Sequence, residues 1–288
     1  MKILVIIPVF NEEKNLESCL NSFLNQTYSI TQITVVNDGS TDNTPSIVKS
    51  FSKKYDSINF VSKDDSESFA KPGSKIIKAF NFGLKKSIKD FDLIGKFDGD
   101  IQIPKNYFEK MVSTFKNNKK VGLASGTLST YINNSWKPET LYEKNHVRGG
   151  IKLYNKSTFK KIGGLSESIG WDSLDELKIY SNNLKTFVDN KLICRQLRTT
   201  GERYKDEMYY KQGRVMYLLG YDFILCIIGS IKFSIKHFSF YPFFQSTYSY
   251  LKSLMKQEKK IVTNKFSKFV RSYRYKMILK KINKWVKS

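Results

Sequence analysis

Two aspartates flank a single glycine where an apolar run ends: Asp98, Gly99 and Asp100 directly follow the segment LIGKF. Two carboxylates this close together can reach one hard cation, and the glycine lets the backbone approach a diphosphate closely. Mg²⁺ binds through one or two carboxylates together with substrate phosphates. The triplet is therefore a candidate metal and diphosphate site with Mg²⁺ or Mn²⁺ as cofactor, although a triplet of this kind taken alone is more often a solvated turn. A solvated turn is the competing interpretation, so the surroundings of the triplet matter.

A second acidic turn lies earlier in the chain, where Asp38, Gly39, Ser40 and Thr41 follow the run ITVVN. An aspartate in this position can accept hydrogen bonds from a nucleoside base or ribose. The alternative is a strand-to-helix turn in which Asp or Ser caps the next helix. Taken alone, the turn is favoured, but acids end two strand-like runs, ITVVN and LIGKF, in the order that a nucleotide site needs.

Short β-rich runs alternate with longer amphipathic stretches in the first hundred residues. The runs are ILVIIPV, ITVVND, INFVS and DLIGKFD, and the stretches cover residues 12–25, 43–55 and 74–88. This alternation predicts an α/β fold with a mostly parallel sheet flanked by helices. Ligands of such sheets bind beyond the carboxyl ends of the strands. We therefore expect Asp38 and Asp98 to lie on one binding edge.

The pattern continues through residues 104–165 with a helix opened by Pro104 and two further strands, VGLASGTL and RGGIKLYN. From Trp171 the sequence becomes helical. Asp172 is predicted as the N-cap of this helix and Asp175 as its capping-box partner.

The C-terminal region differs in composition from the rest of the chain. The formal net charge is +23, and residues 231–288 contain 15 Lys and Arg against Glu258 alone. Such an excess attracts polyanions. Aromatic and basic side chains alternate here, which suits single-stranded nucleic acid or a helix lying among lipid headgroups. The run YLLGYDFILCIIGSIKF is broken by Asp222 and is too short to span a bilayer.

The cysteines and the N-terminus both favour a reduced cytosolic compartment. Cys19, Cys194 and Cys226 are odd in number and far apart, without nearby histidines, which argues against a disulfide framework or a zinc site. The opening run MKILVIIPVF is too short for the core of a signal peptide and has no small-residue cleavage site, so it is interpreted as a first strand.

Three segments, PVFNEEKNLESCLNSFLNQTY, VVNDGSTDNT and KFDGDIQIP, resemble the donor half of the family-2 glycosyltransferases, which have the GT-A fold. The resemblance covers roughly residues 1–110. It implies that Asp98 and Asp100 hold the metal on the donor diphosphate. It also implies a nucleoside pocket at Pro8, Glu12 and Asp38. Phe10, Gly39, Lys75 and Asp98 are further candidates for contacts to the nucleotide sugar. Lys75 is able to reach a phosphate, although solvated lysines are common in this chain.

The second half, HVRGGIKLYNKSTFKKIGGL followed by GWDSLDEL, is similar to the acceptor side of that family, where an acid at the start of a helix serves as general base. The usual Glu, Asp pair is replaced here by Trp171 and Asp172. The resemblance therefore implies Asp172 as the catalytic base, with Asp175 next. The alternative is that both acids only cap the helix and favour its positive N-terminal end.

The segment CRQLRTTGERYKDEMYYKQG resembles a further family motif, with Gln196 where relatives often have histidine. A guanidinium near the diphosphate would stabilise the leaving nucleotide, which makes Arg198 a candidate donor ligand. A surface salt bridge is the equally good alternative. His146 and Arg148 are similarly placed candidates.

Together these features predict a GT-A domain over residues 1–205, with a donor half at 1–110 and an acceptor half at 111–205, followed by a helical membrane-associating extension at 206–288. The resemblance implies inverting transfer from a nucleotide sugar, most readily a UDP-sugar, to a glycan or lipid-linked acceptor in cell-surface polysaccharide or glycoconjugate synthesis. We expect a cytoplasmic protein, peripheral at the inner face of an anionic cell membrane, without a nucleic-acid partner.

Three other functions stay open at this point. A nucleotidyltransferase would share the fold and the acidic site, but the N-terminal region has no glycine- and arginine-rich phosphate loop. A nucleic-acid-binding protein would use the basic tail. A binding protein that kept the nucleotide pocket without turnover would explain the unusual acid pair.

Overall fold

The computed structural model describes residues 1–63, 73–132, 134–138, 146–198 and 205–286. The chain divides into two compact units, Met1–Thr199 and Thr200–Ser288. The finer division drawn from the sequence, with boundaries near residues 110 and 205, stays a prediction.

The first unit is built on one mixed sheet whose described strands follow the order β3-β2-β1-β4-β8-β6-β9-β5, with β7 paired to β6. The strands are β1 Ile3–Val9, β2 Gln32–Asn37, β3 Ile58–Ser62, β4 Leu93–Phe97, β5 Ile101–Gln102, β6 Val121–Ile132, β7 Ser135–Pro138, β8 Ile151–Asn155 and β9 Lys185–Gln196. Strands β1 to β4 run parallel, whereas β8 lies antiparallel between β4 and β6. The predicted α/β fold class is confirmed.

Helices cover both faces of this sheet. They are α1 Leu16–Leu24, α2 Thr44–Lys54, α3 Ser74–Lys85, α4 Tyr107–Asn117, α5 Lys156–Lys161 and α6 Trp171–Ser181. All seven residues of β1 are buried, because a parallel strand in the middle of such a sheet has helices above and below it. This burial explains why ILVIIPV is continuously apolar rather than alternating.

Several sequence-based details differ from the structure. The N-cap of α6 is Gly170, in a left-handed conformation with φ 76°, so the prediction of Asp172 as N-cap is wrong. Asp172 lies one residue inside the helix, in its first turn. Helix α4 begins at Tyr107 with Asn106 as its N-cap, three residues after Pro104. Strand β9 was not predicted, because its exposed and buried residues alternate irregularly.

The described part of the second unit is helical: α7 Lys205–Leu218, α8 Phe223–His237, α9 Tyr241–Met255 and α10 Asn264–Val286. The apolar run around residue 222 is split between α7 and α8, since Asp222 caps α8 by accepting a 2.9 Å hydrogen bond from Leu225 N. Among the described residues, no helix has the length and apolar character that crossing a membrane requires.

Candidate active site

The first cluster of predicted residues lies where β1 and β2 end side by side, with Val9 opposite Asn37. Asp38 is 5% exposed there. Its carboxylate oxygens lie 3.6 Å from Lys63 Nζ and 3.8 Å from Lys75 Nζ. The Lys75 ammonium also lies 4.4 Å from the centroid of the exposed Phe10 ring. The structure thus brings Phe10, Asp38 and Lys75 together.

The loops after β1 and β2 are joined by hydrogen bonds that fix this edge. Asn11 N donates to Ser40 Oγ at 3.0 Å, and Thr41 N donates to Asn11 Oδ1 at 2.8 Å. Gly39 has φ 78°, a left-handed conformation that glycine adopts without a steric cost. Pro8 is buried within β1, one residue before the strand ends. A side chain at Gly39 would strain the turn that follows Asp38.

Glu12 and Arg198 form an ion pair at the same edge, although 186 positions separate them in the sequence. Arg198 Nη2 lies 2.6 Å from Glu12 Oε1 and also donates to Asn11 O at 3.0 Å. Burial raises the pKa of the Glu12 carboxyl, while hydrogen bonding from Asn15 and the charge of Arg198 lower it. The half-exposed guanidinium keeps donors facing solvent, where an anionic ligand can reach them.

We expect Arg198→Ala to weaken donor binding by about tenfold to a hundredfold. A hydrogen bond to a charged group contributes about 1.5–3 kcal/mol, and 1.4 kcal/mol corresponds to a tenfold change in Kd. Arg198→Lys keeps the charge but loses the planar fork, so it should lie between wild type and alanine. Calorimetric titration with the nucleotide that binds wild type would measure this. Unchanged affinity in Arg198→Ala would assign Arg198 to a surface salt bridge.

The acidic triplet follows β4 and faces a buried lysine. Lys96 Nζ donates to Asp98 Oδ1, and Lys96 itself is 1% exposed. Asp100 is buried and its Oδ2 accepts a 3.3 Å hydrogen bond from Gln196 Nε2. Burial raises the pKa of Asp100, and the negative charge of Asp98 raises it further. A cation between the two carboxylates would relieve this repulsion.

The donor atoms around the triplet fit a divalent cation whose other ligands come from a bound diphosphate. Within the described residues there is no group of three or more His, Cys, Asp or Glu side chains able to hold a metal ion. Asp98 and Asp100 nevertheless supply hard carboxylate oxygens, and the nearby Gln196 Oε1 is buried without a hydrogen-bond partner. Mg²⁺ commonly combines such a small protein ligand set with substrate phosphates.

Two adjacent glycines separate the acidic triplet from helix α6. A Cβ on Gly150 would lie 2.7 Å from Asp98 Oδ2. A Cβ on Gly149 would lie 3.2 Å from Trp171 Cζ2 and 3.7 Å from Asp172 Cβ. Asp98 therefore lies against Gly150 and Asp172 lies near Gly149, so a side chain on Gly150 would collide with Asp98 and one on Gly149 would crowd Trp171. The structure brings the predicted metal ligand and the predicted base to the two sides of one short segment.

The two candidate bases have different surroundings. Asp172 is partly exposed, and its backbone oxygen accepts a 2.8 Å hydrogen bond from Lys152 Nζ. Asp175 is 3% exposed, and both of its carboxylate oxygens accept from Lys152 Nζ at 2.9 Å. Tyr154 Oη also donates to Asp175. Burial raises the pKa of Asp175 to about 6, while the charge of Lys152 lowers it. The Asp175 carboxylate is thus engaged within the core.

Comparison with known proteins identifies the family. Residues 4–168, more than half of the chain, match the model described as Glycosyl transferase family 2. The chain belongs to glycosyltransferase family 2. It is accordingly an enzyme that transfers sugars. Glycosyltransferase AglE of Haloferax volcanii is 33% identical over 233 residues, which cover 73% of this chain and 72% of AglE.

Further proteins similar to this family-2 glycosyltransferase include a synthase and two solved structures. The poly-beta-1,6-N-acetyl-D-glucosamine synthase of Staphylococcus epidermidis is 24% identical over 72% of this chain, but the match spans only 53% of that protein. Among solved structures, S. aureus TarS in complex with UDP-GlcNAc has a TM-score of 0.61 at 20% identity, covering 81% of this chain and 73% of that one. The mannosyltransferase PcManGT of Pyrobaculum calidifontis, in complex with GDP-Man and Mn²⁺, has a TM-score of 0.57 at 14% identity, covering 99% and 82%. These structures share the fold.

Two buried lysines of this glycosyltransferase were not predicted from the sequence. Lys96 and Lys152 are paired across β4 and β8, and each ammonium lies 5.4 Å from the centroid of the Trp171 ring. The available signal was a single lysine inside each of the apolar runs LIGKF and GGIKLY. Among the other candidates, His146 Nδ1 lies 3.1 Å from Glu176 Oε1, and Arg148 directly precedes the glycine pair.

We expect Lys152→Met to destabilise the transferase by about 3–5 kcal/mol, because it leaves the buried Asp175 carboxylate without its counter-charge. Burial raises the pKa of Asp175, so the folded state of this variant binds a proton more tightly than the unfolded chain does. The resulting stability is present at low pH and is lost as the pH rises through the raised pKa. Urea unfolding should therefore give a larger deficit at pH 8 than at pH 5.

The matched control for this prediction is Lys152→Met combined with Asp175→Asn, which removes both charges. It should lose less stability than the sum of the single variants, because neither partner is left charged and buried. Additive losses, or a deficit in Lys152→Met that does not vary with pH, would contradict a buried ion pair.

Proposed function

We propose that this family-2 enzyme transfers a sugar from a nucleotide diphosphate sugar, most readily a UDP-sugar, to a hydroxyl of a glycan or lipid-linked acceptor, with inversion and with a divalent cation. The reaction would serve the synthesis of a cell-surface polysaccharide or glycoconjugate. The observation that carries the proposal is the placing of Asp98 and Asp172 against the adjacent glycines Gly150 and Gly149. A reacting centre between them would have a diphosphate site on one side and a base on the other.

The donor half of the proposal rests on the edge formed by β1, β2 and β4. Asp38 offers a carboxylate to a base or ribose, with Phe10 and Lys75 beside it. Asp98 and Asp100 would hold the cation on the diphosphate, and Arg198 would contact the same group. The UDP-GlcNAc and GDP-Man complexes of the two structural neighbours support a nucleotide sugar as the donor class.

The proposed reaction is a single displacement at the anomeric carbon. Asp172 accepts the proton of the acceptor hydroxyl while the acceptor oxygen forms its bond to the anomeric carbon and the bond to the diphosphate oxygen breaks. The bound cation would offset the charge that develops on the diphosphate. Attack from the side opposite the leaving group inverts the configuration. Asp175 and Lys152 would hold the first turn of α6, and with it Asp172, in place.

The acceptor and the location follow from the same proposal. A lipid-linked acceptor requires work at a bilayer surface, and residues 231–288 contain 15 basic residues against one acidic residue. Anionic headgroups attract clusters of this kind. We infer that residues 206–288 associate with the inner face of the cell membrane, with the enzyme peripheral and in the cytoplasm.

A thermal-shift panel tests the donor proposal. Purified protein is heated with UDP, GDP, dTDP or CMP, each with Mn²⁺, with Mg²⁺ and with chelator. A ligand at a hundred times its Kd stabilises a protein by about 2.7 kcal/mol, so one nucleotide should raise the Tm by several degrees when metal is present. Chelator should remove that rise. Failure of every nucleotide to raise the Tm with either metal would contradict the proposed donor site.

A further inference from the structure

Helix α8 of the second unit has four isoleucines on its exposed side. Ile224, Ile228, Ile231 and Ile235 recur at spacings of four, three and four, so they form one stripe along the helix. All four are exposed, Ile235 to 69%. In a water-soluble helix pair such a stripe normally faces the partner helix. The distribution is therefore the reverse of the usual one.

Helix α9 shows the same reversal. Its exposed stripe consists of Tyr241, Phe244, Tyr248, Leu251 and Met255, at spacings of three and four. Phe244 is exposed to 65% and Met255 to 83%. Two consecutive helices thus turn apolar stripes outward.

Small polar residues occupy the buried faces of these helices instead. They are Ser230 and Ser234 on α8 and Ser246, Ser249 and Ser253 on α9. Small residues let helix backbones approach closely and are typical of helix contacts in a lipid environment, where the apolar side chains face the lipid. Leu225 and Tyr250 are buried as well, but most of the large apolar residues of α8 and α9 are exposed, whereas these serines lie on the buried faces.

The turn between α8 and α9 joins the two stripes. Ile231, Ile235, Phe240 and Phe244 line one concave apolar groove of about 660 Å³, together with Phe238. Phe238 is 97% exposed and has φ 50°, a left-handed conformation that is unusual for a bulky residue. We call residues 223–255, which comprise α8, this turn and α9, the apolar hairpin.

Charge favours a lipid surface over the other possible occupants. Residues 223–257 contain four lysines, at 232, 236, 252 and 256, and no acidic residue. A second copy of the chain would place like charges against each other. A nucleic acid would satisfy the lysines but would leave the isoleucines in water. An anionic bilayer satisfies both groups, because its headgroups pair with lysines and its acyl chains cover the stripes.

We propose that the apolar hairpin is a membrane-docking element that lies in the headgroup region of an anionic bilayer with its isoleucine and aromatic stripes buried among the acyl chains. At 15 residues each, α8 and α9 are about 22 Å long, which is shorter than the hydrocarbon core of about 30 Å. The hairpin therefore lies within one leaflet. This deepens the membrane association that forms part of the proposed function, by naming the residues and the lipid class.

Vesicle sedimentation of the full chain tests the proposal. The variant Ile235→Ser, Phe238→Ser, Phe244→Ser removes three exposed apolar side chains and keeps every charge. The control variant Tyr131→Ser, Ile132→Ser, Ile193→Ser removes three exposed apolar residues from the first unit. Wild type and control should bind phosphatidylglycerol vesicles and retain part of that binding at 0.5 M salt, where charge attraction is largely screened. The hairpin variant should bind at least tenfold more weakly.

A label at the turn gives an independent readout. The three native cysteines are buried, so Phe238→Cys can be labelled selectively with an environment-sensitive fluorophore. Its emission should shift to the blue on phosphatidylglycerol vesicles and be quenched by brominated acyl chains, whereas a label at Ile193→Cys should not change. Phosphatidylcholine vesicles should give a much weaker response at both positions.

Four results would overturn the proposal: equal vesicle binding by the hairpin variant and wild type, no binding by wild type, a dimer that only the hairpin variant breaks, or displacement from vesicles by an oligonucleotide. Running the nucleotide thermal-shift panel on the hairpin variant separates the test of membrane docking from the test of the donor site. If the hairpin variant loses vesicle binding but is stabilised normally by nucleotide, the docking element is supported. If no nucleotide stabilises wild type, only the donor proposal is contradicted.

Discussion

The double variant Asp98→Asn, Asp100→Asn should lose the metal-dependent rise in Tm that the nucleotide causes, and its kcat/KM should fall by about a thousandfold. Asparagine keeps the size of each side chain and removes the two negative charges that attract a divalent cation. A metal ion that offsets charge on a departing diphosphate contributes several kcal/mol to the transition state, and each 1.4 kcal/mol corresponds to a tenfold change in rate. The measurements are the nucleotide thermal shift with Mn²⁺ and the rate of sugar transfer.

The stability of this double variant without ligand is also informative. Burial and the charge of Asp98 both raise the pKa of Asp100, so the ionised Asp100 carboxylate is unfavourable in the folded protein. The double variant also removes the counter-charge of the buried Lys96, so it should be less stable than wild type in chelator. Urea unfolding in chelator gives its folded fraction, and activity corrected for that fraction separates loss of function from loss of fold. Asp56→Asn, on the turn between α2 and β3, is the matched control because it removes an acid from the opposite edge of the sheet. Equal stabilisation by nucleotide and metal in the Asp98, Asp100 variant and in the control would contradict the proposed metal site.

The strands of the donor half were predictable because local pattern and final environment agree there. ILVIIPV and LIGKF are buried on both faces, so their apolar runs need no alternation to be recognised as strands. The position of Asp38 and Asp98 after their strands then follows from the parallel arrangement. The acidic edge of the sheet is accordingly the part of the candidate site that the sequence specifies most directly.

The lysine pair was not predictable in the same way. Lys96 and Lys152 lie side by side only because β8 inserts antiparallel against β4, a pairing between segments 56 residues apart. Their aromatic partner, Trp171, comes from a third segment. A buried lysine needs a counter-charge, and Asp98 and Asp175 provide one each. No local pattern specifies those five positions together.

The beginning of α6 illustrates how a capping pattern can mislead. Asp172 and Asp175 have the spacing of a capping box, but Gly170 begins the helix in a left-handed turn and the Asp175 side chain instead pairs with Lys152. The sequence therefore ranked two acids by position, whereas the structure distinguishes them by burial. The buried Asp175 pairs with Lys152, and the partly exposed Asp172 lies near Gly149.

This distinction leads to the second large effect: Asp172→Asn should lower kcat by about a hundredfold to ten-thousandfold, the usual contribution of a general base. Donor affinity should be unchanged, because Asp172 lies against Gly149, whereas Asp98 of the proposed diphosphate site lies against Gly150. The measurements are kcat and the Kd of the nucleotide. Ser173→Ala, in the same helical turn, is the control and should keep most of the activity.

Asp175→Asn provides the decisive comparison, because it removes a carboxylate of the same helix that is buried, whereas Asp172 is partly exposed. If Asp172 is the base, Asp175→Asn lowers stability through the uncompensated Lys152 charge, and its folded fraction still turns over substrate. If Asp175 is the base, the folded fraction of Asp175→Asn has lost turnover, and Asp172→Asn retains it. Burial raises the pKa of Asp175 to about 6, but a proton acceptor must also reach its substrate within hydrogen-bonding distance. The 3% exposure of Asp175 argues against such contact, and it is the reason why we propose Asp172 rather than Asp175 as the base.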